Sequence, residues 1–486
     1  MRTAAASDAG TGAVDGGSGA SSPRGSLARP EVVRWLVAAV VVAGALLLAG
    51  SGGASSAPPA NAAAALVPAD ALVYVHLSTD SGRPATQRAA KLLARFPSWA
   101  RLRDRVVKQL AAPGCDVGAK ALKGADEVAL ALFDTGGSKT ANSLVLIDTG
   151  REHGRPEQRG CGALSVAYVG RFLAIGQPES LSTAQKLQRG QGRSLAAAPG
   201  PKRVFAQLPA DRVADGWVSR DGVQRLLAPQ GGLLGAVGVL FDQPAVTGSG
   251  FGLQPTDDGA KLVVHSLRDA RLAASSSSGF KDFAPTLQSA APESTMSYLG
   301  VSNLAPALQR LLAAAGSSSA QLAPLVGSID PDLLKLFSGE AAMVLTPATP
   351  APVLTLLART TDEAATRKGL AKLPQALRRA FRMDVFDGKV AVSTSAAGIR
   401  AVRAGGRHLS DTDQWRNSVG NHPDRVSSLL FLDFTKLLQL GEQTGLRDLP
   451  AYEAARADLQ RVRAIGAHTS GNASESTAEI SLLITP

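Results

Sequence analysis

Segments of this 486-residue chain occur twice in the same order, and this repetition restricts the fold more than any other feature. Each copy opens with an apolar strand pattern around a central tyrosine, at residues 68–77 and again at 292–301. Later segments match at nearly constant spacing along the chain. Two related modules in tandem are therefore predicted, in agreement with a length above the ~100–200 residues of a typical domain.

Each copy is predicted to combine short strands with amphipathic helices. The expected architecture is α+β: two tandem related modules, each a mainly antiparallel sheet with helices packed on one face, after an N-terminal transmembrane helix. The predicted pairs are helices at 85–110 and 304–315, hairpins at 127–147 and 340–357, short strands at 170–176 and 387–393, strands at 203–208 and 427–432, and closing hairpins at 245–267 and 464–484. One difference is expected, because a helix at 361–382, capped by Thr361, corresponds only to the loop 151–163 in the first copy.

An uncharged apolar segment near the N-terminus predicts insertion into a membrane. Residues 1–30 are mostly Gly, Ala and Ser, a composition typical of a disordered tail. The run WLVAAVVVAGALLLA follows at 35–49 and, with its flanks, reaches the ~20 residues of a spanning helix. Arg24, Arg29 and Arg34 precede it, which places the N-terminus in the cytoplasm. We therefore predict a cytoplasmic tail at 1–30, a single transmembrane anchor or signal segment at 31–54, and an extracytoplasmic remainder at the cell membrane.

A cleaved signal peptide is the competing interpretation of this segment. Ala60-Asn61-Ala62 fits the A-x-A pattern of a cleavage site. Lipidation is excluded, because Ser51 stands where a lipoprotein needs its cysteine. In both cases the exported part is expected to follow a linker at 55–65 and to consist of a first repeat at 66–272, a linker at 273–290 and a second repeat at 291–486.

Basic residues outnumber acidic ones. The chain has 51 Lys and Arg against 40 Asp and Glu, a net charge of +11, and such a charge attracts polyanions. Export argues against nucleic acid and favours the membrane, anionic lipid or a cell-wall polymer as partner. The candidate contacts lie on two amphipathic helix patterns and are Arg88, Lys91, Arg95, Arg101, Arg105, Lys372, Arg378 and Arg379. The competing interpretation is that they form only the solvated face of helices that cover a sheet.

The chain has two cysteines, Cys115 and Cys161. In an exported protein such a pair favours a disulfide, and closing this loop would stabilise the fold by ~4 kcal/mol on the chain-entropy model. Free buried thiols are the alternative. The spacing does not match a redox or zinc motif.

Motifs for catalysis are weak. The D-T-G tripeptide of aspartic proteases occurs at Asp134 and Asp148, but both residues end successive strands of one hairpin, so their carboxylates should lie apart. The six histidines are scattered without metal-ligand spacing, and the sequence has no phosphate-binding loop or nucleophile elbow. We therefore predict no catalytic residue, no metal and no cofactor.

Several segments resemble one known family. In the first copy these are P-A-D-A-L-V-Y-V-H-L, R-F-P-S-W, G-A-D-E-V-A and I-G-Q-P-E-S, and in the second L-F-S-G-E, V-A-V-S-T-S and S-L-L-F-L-D. The chain is similar over residues 66–485 to a family of exported, membrane-anchored bacterial proteins that is catalogued only as a domain of unknown function. The resemblance implies an anchored, exported architecture and carries no activity over to any residue.

Three functions remain open at this point. The favoured hypothesis is a non-enzymatic binding or scaffold module of the cell envelope, and the alternatives are a carrier of a lipid or other apolar ligand and a hydrolase without a recognisable motif. A carrier predicts a continuous apolar cavity in at least one half. A scaffold predicts filled halves with an exposed patch, and a hydrolase predicts polar side chains that converge in a cleft.

Overall fold

In the part of the chain that the structure describes, short strands rich in Val, Leu and Ala build one antiparallel sheet of seventeen strands, and the fold is α+β. The computed structural model describes residues 57–110, 122, 124–134, 141–154, 158–161, 164–227, 245–275, 281–304, 338–349 and 351–485. No helix within these ranges is long and apolar enough to cross a membrane. The predicted anchor at 31–54 and the predicted helix at 304–315 lie outside the described residues, apart from Leu304.

The strands divide into a first half, before residue 275, and a second half after it. Those of the first half are β1 Val73–Ser78, β2 Glu127–Phe133, β3 Asn142–Asp148, β4 Arg159–Cys161, β5 Leu164–Val169, β6 Phe172–Gly176, β7 Ala214–Ser219, β8 Val246–Thr256 and β9 Gly259–Arg268. Those of the second half are β10 Ser297–Ser302, β11 Glu340–Thr346, β12 Val353–Arg359, β13 Arg382–Phe386, β14 Lys389–Ser393, β15 Ser428–Asp433, β16 Val462–Gly471 and β17 Glu475–Ile484.

Twelve α-helices accompany the strands in the described part of the chain. They are α1 Pro84–Leu93, α2 Trp99–Leu110, α3 Pro178–Gln188, α4 Pro199–Phe205, α5 Arg220–Gly222, α6 Ala270–Ser275, α7 Glu363–Ala371, α8 Gln375–Ala380, α9 Ala396–Arg403, α10 Asp413–Ser418, α11 Phe434–Gln443 and α12 Pro450–Leu459.

From either edge of the sheet toward its centre, the matched strands of the two halves follow one another in the same order. The full order is β4-β5-β6-β3-β2-β1-β7-β8-β9-β17-β16-β15-β10-β11-β12-β14-β13. β9 and β17 pair at the centre and join the two halves. Among the described strands, only β4 has no counterpart in the other half. Both closing hairpins, β8–β9 and β16–β17, form where the sequence predicts them.

The sheet has two faces, which differ in what covers them. We call them the tyrosine face, with the side chains of Tyr74 and Tyr298, and the leucine face, with Leu77 and Leu299; the strand registers place each pair on one side. On the tyrosine face, Tyr74 packs with α3, α4 and the 3-10 segment Ala63–Leu66. Tyr298 makes a T-shaped contact with Trp415 of α10, with ring centroids 5.3 Å apart.

Helices also lie on the leucine face, so the prediction of helices on one face is wrong for the first half. α1 and α2 cover β1, β7 and β8 there, and the single helix predicted at 85–110 is two helices. The chain turns at Pro97, which has no N–H to continue the helical hydrogen bonds. The turn brings Trp99 back toward the sheet, where it is 9% exposed.

Two further predicted elements differ from the structure. Residues 199–205 form α4 instead of a strand, because Pro199 starts a helix well, and β7 takes the place that corresponds to β15. The helix predicted at 361–382 is two helices, α7 and α8, with Pro374 between them, and Arg382 begins β13. The first of them, α7, ends at Ala371. Its N-cap is Asp362, whose carboxylate accepts a hydrogen bond from the Ala365 amide at 2.9 Å. Thr361 is therefore not the cap.

Candidate apolar site

A cavity of about 510 Å³ lies between helices α1 and α2 and the leucine face of the sheet. Its floor comes from adjacent strands β1, β7, β8 and β9, and its main side chains are Val75, Leu77, Ala214, Phe251, Leu253 and Leu262. Gly216 shapes this floor, because a Cβ atom there would lie 2.5 Å from the Phe251 ring. The missing side chain lets the ring lie over β7.

The roof of the cavity is the apolar side of two amphipathic helices. In α1, Ala85, Ala89 and Leu92 recur at helical spacing and are buried. Leu92, Leu93, Phe96, Trp99 and Leu102 line the cavity from above. Because the lining is almost entirely aliphatic and aromatic, the space is suited to hydrocarbon and poorly suited to water, which needs polar partners.

Polar groups appear only at the rim. The Ser98 amide donates a hydrogen bond to Asp458 Oδ1 at 3.1 Å, and both residues border the cavity. Asp458 belongs to α12, so the second half contributes to the rim of a cavity in the first half. Leu253 of the floor is 37% exposed, which shows that the cavity reaches solvent.

The structure places five of the eight predicted surface contacts on the helices that form this roof or on their connection. Lys91 and Arg101 are exposed on the outer side. Arg88 donates to the Pro255 carbonyl at 3.3 Å and pairs with Asp211 at 3.1 Å, which ties α1 to the sheet. Arg95 is half-buried, and the side chain of Arg105 lies outside the described set.

The other three predicted contacts lie elsewhere. Lys372, Arg378 and Arg379 are exposed on and beside α8, which packs on β13 at the edge of the sheet. The two basic groups are therefore not brought together. The candidate disulfide falls outside the described residues, because Cys115 and the side chain of Cys161 are not among them.

A buried charged cluster is the second candidate site. His76 Nδ1 lies 3.1 Å from Asp215 Oδ1, and Arg212 Nε donates to Asp215 Oδ2 at 2.6 Å. Glu127 Oε1 is 3.6 Å from His76 Nε2. The side chains of His76 and Asp215 are fully buried, so no substrate reaches them, and the cluster is a structural core feature.

The same cluster holds the segment that leads into the first strand. Glu127 accepts hydrogen bonds from the amides of Ala62 at 3.1 Å and Ala63 at 2.8 Å. Asn61 donates to Asp215 at 3.3 Å and accepts from the Tyr74 hydroxyl at 2.5 Å. Residues 57–63 are thus bonded into the fold.

Burial and neighbouring charges shift the two carboxyl groups in opposite directions. Burial raises the pKa of Glu127, and His76 and the two backbone amides only partly offset it. Burial also acts to raise the pKa of Asp215, but attraction to His76, its hydrogen bond and the pairing with Arg212 outweigh burial and leave that pKa below its ordinary value. Asp215 therefore stays ionised in the interior.

The two D-T-G aspartates lie at opposite ends of the β2–β3 hairpin, as their spacing predicts. Asp134 pairs with Arg225 at 2.6 Å, and Asp148 pairs with Arg171. Their carboxylates are therefore engaged separately. No group of three or more His, Cys, Asp or Glu side chains within the described ranges is placed to hold a metal ion.

Comparisons with known proteins give little. No protein-family model matches this chain, and no curated protein matches it. A solved structure described as "Structure of crystal form I of TP0453" is similar at 8% identity with a TM-score of 0.25, over 46% of this chain and 87% of that one. A TM-score this low does not establish a shared fold.

The sequence indicated the roof of the cavity but not the cavity itself. The apolar stripe of Leu92, Leu93 and Phe96 is visible at helical spacing. The floor is not, since it depends on which strands become neighbours. Gly216 and Phe251 indicate a cavity floor only after β7 and β8 are known to pair.

Proposed function

We propose that this protein binds an apolar ligand between helices α1–α2 and the sheet, as an exported protein held at the membrane. The observation that carries the proposal is the apolar cavity of about 510 Å³. Its size falls within the roughly 300–1,000 Å³ of known small-molecule sites. The cavity reaches solvent and its lining is apolar, so a hydrocarbon ligand bound there would remove apolar surface of both partners from water.

We further propose two tandem related modules, 66–272 and 291–486, as the arrangement that presents this site. The repeated order of strand pairings supports this division. A matched contact in the two halves also supports it. Glu340 accepts hydrogen bonds from the amides of Thr286 at 2.6 Å and Leu287 at 2.8 Å, as Glu127 does from the amides of Ala62 and Ala63. The proposed disulfide between Cys115 and Cys161 belongs to the first module.

The segment 31–54 acts in this proposal as a retained membrane anchor, with the modules outside the membrane. The contacts of residues 57–63 support retention, since cleavage after Ala62 would remove Asn61 from its bonds with Asp215 and Tyr74. The exposed cations Lys91 and Arg101 would then face anionic lipid or wall polymer, so that a ligand could enter from the membrane surface. We also propose that the chain belongs to the family of exported, membrane-anchored bacterial proteins that its segments resemble.

A scaffold role is the second candidate, and one observation favours it. Met343 on β11 is 38% exposed and Leu354 on β12 is 40% exposed, which gives the second half apolar side chains at its surface. A partner protein of the envelope could bind there. The cavity makes the ligand-binding function the better supported of the two.

Native mass spectrometry of residues 57–486, secreted and purified gently, tests the proposed function. We expect an added mass that organic solvent extracts as lipid. The variant Ala260→Trp fills the cavity and should lose this mass, whereas Ala376→Trp, at an exposed position of α8, should keep it. A bare protein mass after expression with lipid present would contradict the proposal and favour the scaffold.

A further inference from the structure

One row of apolar side chains crosses the leucine face from the first half into the second. Each member is the register partner of the next, on adjacent strands. The row consists of Leu77, Ala214, Leu253, Leu262, Ile480, Ala467, Leu430 and Leu299. Side chains of register partners stand on the same face of a sheet, so these eight form a continuous apolar line.

The cavity covers only the first part of this row. Its floor ends at Leu262 of β9, and with strands spaced by about 4.8 Å it spans about 14 Å from β1. The row continues for about 19 Å, to Leu299 of β10. Ile480, Leu430 and Leu299 are half-buried, so they are neither packed away nor freely exposed.

The roof also continues across the centre of the molecule. The Ser98–Asp458 hydrogen bond joins the end of the α1–α2 turn to α12 of the second half. α11, which precedes α12, packs near β16 and yet buries none of its residues completely, although it carries Leu437, Leu438 and Leu440. Within the described part of the chain, these three leucines are thus only partly buried, as are Ile480, Leu430 and Leu299 of the row.

The continuation of the row has a polar boundary on one side. The neighbouring row on the same face contains Phe251 and Val264 in the first half but Thr469 and Ser428 in the second. The hydroxyls of these last two residues hydrogen-bond to each other at 2.7 Å. The apolar path therefore narrows beyond the cavity, which suits a linear chain better than a ring system.

From this geometry we infer that the ligand is a linear hydrocarbon chain longer than the cavity, lying across the strands and passing under α12 into the second half. The inference rests on the proposed function. Half the ~30 Å hydrocarbon core of a bilayer is about 15 Å, so an ordinary acyl chain would fill the cavity and a longer chain would reach the rest of the row.

Binding of single-chain carboxylic acids of increasing length, from eight to twenty-six carbons, tests this inference on residues 57–486. Burial of each methylene should strengthen binding about fourfold. In the wild-type protein, affinity should continue to rise with chain length past the length that fills the cavity. In Ile480→Ser and Leu430→Ser the rise should stop there, while short chains bind as before. Leu449→Ser, at a 54% exposed position, is the matched control and should behave as wild type.

The outcomes separate the inference from the proposed function. A wild-type affinity that levels off once the cavity is full, or serine variants that still gain affinity with long chains, would overturn the long-chain inference and leave the cavity as the whole site. Failure of every chain length to bind would overturn both. Unchanged circular dichroism of the two half-buried serine variants confirms that a loss of long-chain affinity is not a loss of fold.

Discussion

Single residues give the two halves different interiors at matched positions. The strand registers place His76 opposite Asp215 in the first half, and Gly300 opposite Leu429 in the second. One half therefore has a buried ion cluster where the other has none. Such a cluster is costly to break, since the partners that remain are charged and already removed from water.

Asp215→Asn should lower the free energy of unfolding by about 3–5 kcal/mol, because Arg212 would lose its buried counter-ion. Asp211→Asn removes the charge of a half-buried partner of Arg88 and should cost less than about 1 kcal/mol. Urea unfolding of both variants measures the difference. Equal losses in the two would show that the cluster contributes no more than a surface pair.

Asp215 also predicts a dependence of stability on pH. Its pKa is lower in the folded protein than the ordinary value of 3.8, so its contribution is present above pH 3.8 and is lost as the pH falls through the lower folded value. Unfolding of the wild type at a series of acidic pH values should show this loss. The free energy of unfolding of Asp215→Asn should decrease less over this pH range, although other carboxyl groups still contribute.

At the scale of elements, strands were predicted better than helices. The closing hairpins follow from alternating apolar residues and polar turns, which are local signals. Residues 203–208 are also mostly apolar, but the prolines at 199 and 201 start a helix there, and core contacts of Val204 hold it. The cavity floor could not be predicted, because β1, β7, β8 and β9 are distant in sequence and only their pairing makes it.

The N-cap of α7 gives a test at this scale. Asp362→Ala should cost about 1 kcal/mol of stability, because the Ala365 amide loses its acceptor. Thr361→Ala, at the neighbouring exposed residue, should change stability by only a few tenths of a kcal/mol. Chemical denaturation of the pair distinguishes the two caps. A larger loss of stability in the Thr361 variant would show that Thr361 is the N-cap, as the sequence predicts.

At the scale of the whole molecule, the two halves are joined by backbone pairing of β9 with β17. Residues 57–275 alone would expose β9 as a long unpaired edge, which favours association between copies. We expect this fragment to elute as a dimer or larger species in size-exclusion chromatography. Val264→Pro, which removes one donor from that edge, should shift it toward monomer. A monomeric wild-type fragment would show that the edge is protected in some other way.

The last strand of the chain lies in the middle of the sheet, and this has a consequence for biosynthesis. β17 ends at Ile484, two residues before the end of the chain. Until β17 has been synthesised, β9 lacks this neighbour and the two halves remain unjoined. The interval between the arrival of β9 and that of β17 is therefore the period in which a nascent molecule is most exposed to aggregation, and in which a chaperone would have most effect.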